Sequence, residues 1–476
     1  MFLYGSLVTT IADWCHWYVL GQVTIDMLPD DALLEIFDFF LCGIERTDGW
    51  DLLVHVCRKW RNVVFGSPRR LNLHLQCTAR KPVREMLDVW PELPIVMEQH
   101  DPPTLGVDNI VAALEHSDRV CEITLRHISS SLWENILAAT KVPFPALTRL
   151  DLVSEDETMP DVPDSFLGGS APLLRSLHLR RIPFPGLPRL LSSTVVVDLV
   201  HLELYDIPHS GYISPEAMVT CLSALTNLEA LSLDFQSPRS RPDGRRCLRP
   251  PTRSLLPRLI RFAFKGVSEY LEDLVARIDA PFLDELHIIF FHQLILDTPQ
   301  LAQFIGRTPN LKAHNEAQVT FLDDAVQVLL GYMQHVSLRT ACKASDWQLS
   351  FVAQVCSSSL SLIPSLEHLY ICAGEYSRSH WLDDVENSQW LDILHPFTAV
   401  KNLYLSKEVA PRIVSALQEV IGDGVTDVLP VLENLFLEEP HLSGTIQETI
   451  EKLVASRLYS NHPIAISHWD RDQHKW

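Results

Sequence analysis

Residues 147–152 read LTRLDL, 174–179 read LRSLHL, 199–204 read LVHLEL and 228–233 read LEALSL. Apolar side chains stand at the first, fourth and sixth places of each hexad. With conservative swaps the pattern extends back to Val120-Ile123-Leu125 and on to Leu259-Phe262-Phe264, Leu283-Leu286-Ile288 and Met333-Val336-Leu338. It then continues through Leu366-Leu369-Ile371, Val400-Leu403-Leu405 and Leu432-Leu435-Leu437. Most starts lie 24 to 34 residues apart, and the 50-residue gap after Leu283 holds a degenerate start at Pro309-Asn310-Leu311. The fourth and sixth positions alternate as a short strand with one buried face requires. In seven repeats a proline stands two residues before the hexad (145, 172, 257, 281, 309, 364 and 430). Lacking an N–H, it ends any helix arriving from upstream.

The intervening segments read as helices. Val107-Ile110-Val111-Leu114, Leu271-Leu274-Val275-Ile278, Ile413-Ala416-Leu417-Val420 and Ile446-Thr449-Ile450-Leu453 all follow the i, i+3, i+4, i+7 spacing of one helical face. Strand and helix in alternation at this period imply an α/β stack of parallel strands inside an arc, with helices outside. Each unit then buries its leucines against its neighbours. The arrangement resembles the leucine-rich repeat in pattern but not in consensus, since the asparagine after the hexad is missing and the period wanders. A plain α/β fold with several parallel strands is the other architecture open to the pattern.

Upstream of the repeats, residues 28–40 read LPDDALLEIFDFF and residues 50–61 read WDLLVHVCRKWR. Leu33, Ile36, Phe37 and Phe40 fall on one helical face, as do Leu53, Val56, Cys57 and Trp60. Pro29 sits where a missing N–H costs nothing, and Asp30 and Asp31 suit the positive end of the helix dipole. Two such helices cannot bury all their apolar surface against each other, so the pair needs a partner. Leu28-Pro29, Leu33, Ile36 and Val56-Cys57-Arg58-Lys59-Trp60-Arg61 resemble the F-box, most closely its fungal members, in which this motif runs straight into a repeat domain. The resemblance covers roughly residues 27–75, and the break at 41–49 is longer than the family usually carries. It implies a helical hairpin that docks on a Skp-type adaptor and, through it, on cullin and RING subunits of a ubiquitin ligase. Leu28, Pro29, Leu33, Ile36, Phe37, Val56 and Trp60 are its adaptor-binding candidates. An ordinary amphipathic hairpin packed on its own domain is the plainer reading.

Composition excludes several functions. With 39 basic against 60 acidic residues the net charge is −21, contrary to a nucleic-acid binder that must neutralise phosphates. The ten cysteines are scattered, with no paired-cysteine metal spacing and no small-domain disulfide framework. No N-x-[ST] site occurs, in keeping with a cytoplasmic or nuclear home. Residues 1–26 form a hydrophobic extension without Lys or Arg, so they lack the basic start of a signal peptide. As a membrane span they would carry Asp13 near the centre, at a cost of about 2.5–3.5 kcal/mol. They are expected to pack on the protein, or to reflect how the gene is delimited. Residues 237–254, with six arginines and four prolines, are expected to form a mobile loop, either unliganded or touching a phosphate or an acidic partner.

No phosphate-cradling, zinc-protease or nucleophile-elbow motif is present, so neither catalytic residues nor a cofactor is called for. His287 and His292 lie five apart in a strand region and would point to opposite faces, a poor metal geometry. The domain reading is therefore an extension (1–26), an F-box (27–68), a leucine-rich-repeat-like solenoid (69–457) and a C-terminal tail or cap (458–476). The function implied is that of a non-catalytic receptor holding a target protein for ubiquitin transfer. A repeat scaffold without any ligase is the alternative, and a membrane-tethered receptor rests on the N-terminal extension alone.

One binding surface follows from strand alternation. The residue between the last two apolar positions of a hexad points away from the core. Along the chain these are Asp151, His178, Glu203, Ser232, Ala263, His287 and Ser337, then Tyr370, Tyr404 and Phe436. The last three would make an exposed aromatic ladder, with His368, Asn402 and Asn434 beside it, and these six are the target-binding candidates. The alternative is that the tail ending SHWDRDQHKW folds back and covers them.

Overall fold

The computed structural model describes residues 27–42, 49–66, 72–78, 82–90, 92–99, 106–157, 159–192, 198–239, 253–292, 296–312, 314–331, 335–342, 344–359, 365–374, 385–422, 428–438, 444–459 and 462–471. The extension 1–26, most of the inter-helix break and the centre of the arginine-rich segment fall outside them. Two compact units divide the chain, one of residues 1–152 with 165–172, the other of residues 153–164 with 173–476.

In the first unit three helices (Asp30–Cys42, Gly49–Val56 and Arg58–Gly66) precede strands β1 (Leu73–Gln76), β2 (Ile95–Gln99), β3 (Val120–Ile128) and β4 (Arg149–Ser154), the last of which contains the division. The strands β1, β2 and β3 pair in parallel, with helices Val83–Val89 and Val107–Leu114 as crossovers. The single helix expected over residues 50–61 is instead two, broken at Cys57. Its carbonyl accepts from Arg61 N (3.1 Å) and its sulfur from Trp60 N (3.4 Å), which makes Cys57 the start of a new helix. Arg61 Nε donates to Val54 O at 3.0 Å, closing the end of the helix before. This turn aims Trp60 at Phe37, with ring centroids 4.7 Å apart. Leu33, Leu34, Phe37, Leu53, Val54, Trp60, Val63 and Val64 then form one core, against which Phe65 and Trp90 pack. Part of the partner that the first two helices need is thus the third helix and Trp90.

The second unit holds β5 (Ser176–Arg180), β6 (His201–Ile207), β7 (Ala230–Phe235), β8 (Ser254–Leu255), β9 (Arg261–Gly266), β10 (Ile278–Asp279), β11 (Glu285–Phe290), β12 (Glu316–Phe321), β13 (Ala325–Leu330), β14 (Val336–Ala341), β15 (His368–Ala373), β16 (Asn402–Leu405), β17 (Asn434–Leu437) and β18 (Ala465–His468). Its main sheet runs β5-β6-β7-β9-β11-β14-β13-β12-β15-β16-β17-β18, while β8 and β10 pair separately. The hexads stand in register: Leu177, Leu202, Leu231, Phe262, Leu286 and Val336 align, as do Leu369, Leu403 and Leu435. All of these are buried. The expected α/β class with a long, mostly parallel sheet is therefore present.

One stretch departs from the expected all-parallel order. β13 runs antiparallel to both β12 and β14. Ala317, Val319 and Phe321 alternate on one strand, and Val326, Val328 and Leu330 on the next, all buried. Leu322 N donates to Ala325 O at 2.8 Å, closing a tight turn over Asp323 and Asp324. Period-two sequence on both sides of a turn makes a hairpin, and here it occupies the long gap in the hexad series.

Neighbouring repeats are also tied by polar bonds on the helix side. Helix Pro299–Arg307 has no side-chain cap of its own at Thr298. Glu272, from helix Ser268–Val275, accepts the N–H groups of Gln300 and Leu301, both at 2.8 Å. At the other end Arg307 donates to the carbonyls of Val275 (2.6 Å) and Ile278 (2.8 Å) and pairs with Asp279.

Candidate functional site

The adaptor-binding candidates divide between core and surface. Leu33, Phe37 and Trp60 are buried inside the helical module, so they hold it together and present nothing outward. Leu28 is half-buried, its carbonyl taking Lys59 Nζ at 2.7 Å, and Pro29 is exposed. Ile36 is 43% exposed and Val56 56% exposed, so neither belongs to the expected core stripe. The stripe that packs is Leu33-Leu34-Phe37, which turns Ile36 to its edge. Val56 ends its helix just before the Cys57 break and faces out. Sequence reasoning missed Met27 (66% exposed) and Phe39 (84% exposed). Phe39 lies one turn beyond Ile36, so the two are neighbours on the helix surface. Met27, Ile36, Phe39 and Val56 are large apolar side chains left in water after the module has closed its core.

In the second unit, β15, β16 and β17 bring the six target-binding candidates together. Tyr370, Tyr404 and Phe436 stand in register. Their rings stack at 4.2 and 4.4 Å, tilted by only 11° and 7°. Strand spacing fixes that separation. Beside them Asn434 Nδ2 donates to Asn402 Oδ1 at 2.8 Å, and Asn402 Nδ2 meets His368 Nδ1 at 3.4 Å. The ladder exists, but the expectation that it stands exposed is corrected. Tyr370 is only 6% exposed, and Tyr404 and Phe436 are half-buried.

Trp469 is the reason. The tail adds β18 in parallel beside β17, Ser467 opposite Phe436. The next residue, Trp469, turns its indole edge-on to Tyr370 (5.9 Å) and Tyr404 (5.6 Å). Its Nε1 donates to Leu405 O at 3.2 Å across 64 residues. Tyr370, Cys372 and Trp469 form a small buried cluster on which Tyr404 and Phe436 pack. Burial raises the Tyr370 hydroxyl well above its ordinary pKa, with Tyr404 adding to the effect, and burial also raises Tyr404. The two hydroxyls also share a side-chain hydrogen bond, so the ladder is apolar with one polar edge.

A second feature of this unit was not legible. Asp206, in the left-handed region at φ 49°, pairs with Arg180 (2.9 Å), Arg181 (3.6 Å) and Lys265 (3.7 Å), and Lys265 reaches Asp234 at 2.9 Å. Burial raises the Asp234 pKa while Lys265 pulls it back. These pairs join the ends of β5, β6, β7 and β9, and being partly exposed each is worth about 1 kcal/mol or less. Their charges compensate one another locally. His292 stacks edge-on against Trp347 at 4.5 Å, apart from His287. Among the described residues no group of three or more His, Cys, Asp or Glu is placed to hold a metal, and no helix is long and apolar enough to cross a membrane.

Neither a family model nor a curated protein matches the chain. The crystal structure of the leucine-rich repeat-containing protein LegL7 from Legionella pneumophila aligns with 80% of this chain and 97% of its own, at 11% identity and a TM-score of 0.28.

Proposed function

We propose that this protein is a substrate-receptor subunit of a Skp–cullin–F-box ubiquitin ligase. Residues 27–68 act as the F-box and dock on a Skp-type adaptor, which brings cullin and RING subunits. The leucine-rich-repeat-like strands and helices that follow bind a target protein, in the cytoplasm or nucleus. The chain performs no chemistry itself; it raises the effective concentration of the target beside the transferring enzyme.

The observation that carries this reading is the apolar surface left on the helical module. Met27, Ile36, Phe39 and Val56 remain open to solvent although Leu33, Phe37 and Trp60 have sealed the interior. Ile36 and Phe39, exposed one turn apart beside a closed core, support an interaction surface here. The parallel repeat sheet supports a protein-binding role for the rest of the chain. A repeat scaffold without ligase association is the second reading, which the repeat sheet supports without calling on the helical module.

Co-purification distinguishes them. Full-length protein should carry adaptor and cullin with it, and the double variant Ile36→Asp, Phe39→Asp should lose both while keeping its fold, because both side chains are exposed. Wild-type protein that brings down neither rules out the ligase and leaves the scaffold, whereas a variant that brings down both rules out the Ile36–Phe39 surface as the docking site.

A further inference from the structure

Of the ten described residues 462–471 in the tail, only Ile464 and Trp469 have buried side chains; all four residues of β18 are exposed. The tail is therefore held by one strand edge, by two apolar side chains and by the His468 ring, whose Nδ1 meets Leu437 O at 3.1 Å. Main-chain pairing along β17 requires no particular sequence, since any extended segment offers the same N–H and C=O groups. What selects this segment is Trp469, one residue beyond the strand. There the indole meets Tyr370 and Tyr404 in T-shaped geometry, a favoured arrangement for aromatic pairs, and Leu405 O takes the indole N–H. The surface has the form of a peptide-binding site, and its occupant is seen.

We infer that the β17 edge with the Tyr370–Tyr404–Phe436 ladder is a receptor site for an extended segment that adds parallel to β17 and seats a tryptophan on the rings. Residues 464–469 occupy it in cis. A target segment of the same chemistry binds by displacing them, so the tail sets the affinity threshold for capture. The inference rests on the target-binding half of the proposed function and is independent of the adaptor. It also fixes the chemistry of the incoming segment: β-compatible residues where Ala465–His468 lie, then tryptophan. The hydrogen bond to Leu405 O favours tryptophan over phenylalanine.

The test uses full-length protein and a fluorescent peptide of residues 463–471, PIAISHWDR, read by anisotropy. A tail docked nine-tenths of the time weakens apparent binding by about tenfold. Trp469→Ala should therefore bind the peptide about tenfold or more tightly than wild type. Adding Tyr404→Ala should abolish binding, as should replacing the peptide's tryptophan by alanine. No binding by a folded Trp469→Ala protein overturns the inference and makes the tail a fixed cap. Hydrogen exchange of the wild type decides the matter if that variant fails to fold. Amides of Ala465–Trp469 exchanging faster than those of β16 and β17 support displacement, and equal protection overturns it. Adaptor capture measured on the same proteins stays unchanged under this inference, and failure of the wild type itself to capture adaptor speaks against the ligase reading alone.

Discussion

Phe37 and Trp60 meet at 4.7 Å between ring centroids with their planes at 58°, and this contact joins the first helix to the third. Both rings lie inside the module's core, so each acts on stability before it acts on any partner. Phe37→Ala or Trp60→Ala should destabilise the first unit by about 3–5 kcal/mol, the usual cost of emptying an aromatic core site. Ile36→Ala and Val56→Ala should shift it by no more than about 0.5 kcal/mol, as surface changes do. Urea unfolding followed by tryptophan fluorescence checks the contrast. Adaptor loss in a Trp60 variant therefore means little unless the fold is shown intact.

A second prediction concerns pH. Burial pushes the Glu272 carboxyl up to about 7, against the pull of the two N–H groups it accepts and with Asp297 and Asp273 adding to the rise. In the unfolded chain the same group titrates near its ordinary value of 4.5. The folded state thus holds a proton that the unfolded state has released between these values. Its contribution is fully present below pH 4.5 and is lost as pH rises through about 7. Glu272→Gln mimics the protonated form and keeps one acceptor. The wild type's melting temperature relative to this variant should therefore fall from pH 5 to pH 8, by an amount corresponding to at most about 3 kcal/mol. A gap that widens toward wild type with rising pH would mean that attraction to the helix N-terminus outweighs desolvation.

Much of the second unit was legible because its hexads encode burial and register together. Leu177, Leu202 and Leu231 each fill the same place in successive strands, and one leucine per repeat suffices to align them. The hairpin β12–β13 escaped because Ala317-Val319-Phe321 has two-residue alternation but no leading leucine, so a search for hexads passed over it. The helical module was ambiguous for the opposite reason. Positions 33, 34, 36, 37, 39 and 40 are all apolar, and periodicity cannot choose among several stripes of one helix. The third helix chose, by packing Trp60, Val63 and Val64 against Leu33, Leu34 and Phe37 and leaving Ile36 and Phe39 outside.

The ladder shows where local reading ends. That Tyr370, Tyr404 and Phe436 align follows from counting along three strands. That Trp469 covers them depends on a contact reaching back across nearly a hundred residues to Tyr370, and no local pattern encodes it. The short hydrophobic alternation Ile464, Ile466 was a weak hint of one more strand. Likewise, Asp206 adopts a left-handed conformation that aspartate tolerates better than most residues, but its three cationic partners come from two other strands and a turn.

The last prediction tests how repeats are tied on the helix side. Arg307 donates from Nη2 to the carbonyls of Val275 and Ile278 and pairs through Nε with Asp279, while its guanidinium lies 5.1 Å from the Phe304 ring. Only a planar fork with several N–H groups reaches two carbonyls and a carboxylate at once. Arg307→Ala leaves the carbonyls of Val275 and Ile278 without this donor and should cost about 2–4 kcal/mol, a sum of bonds worth about 1–3 kcal/mol each when made by a charged group. Arg307→Lys should recover less than half of that, because one ammonium cannot reproduce the fork. Lysine restoring full stability in chemical denaturation would show that charge alone, and not donor geometry, joins this repeat to the one before. In that case hydrogen exchange in β10 would match wild type in the lysine variant. If the fork is what matters, exchange there should rise in both variants and stay unchanged in β5 and β6, since stacked repeats pass damage to their neighbours first.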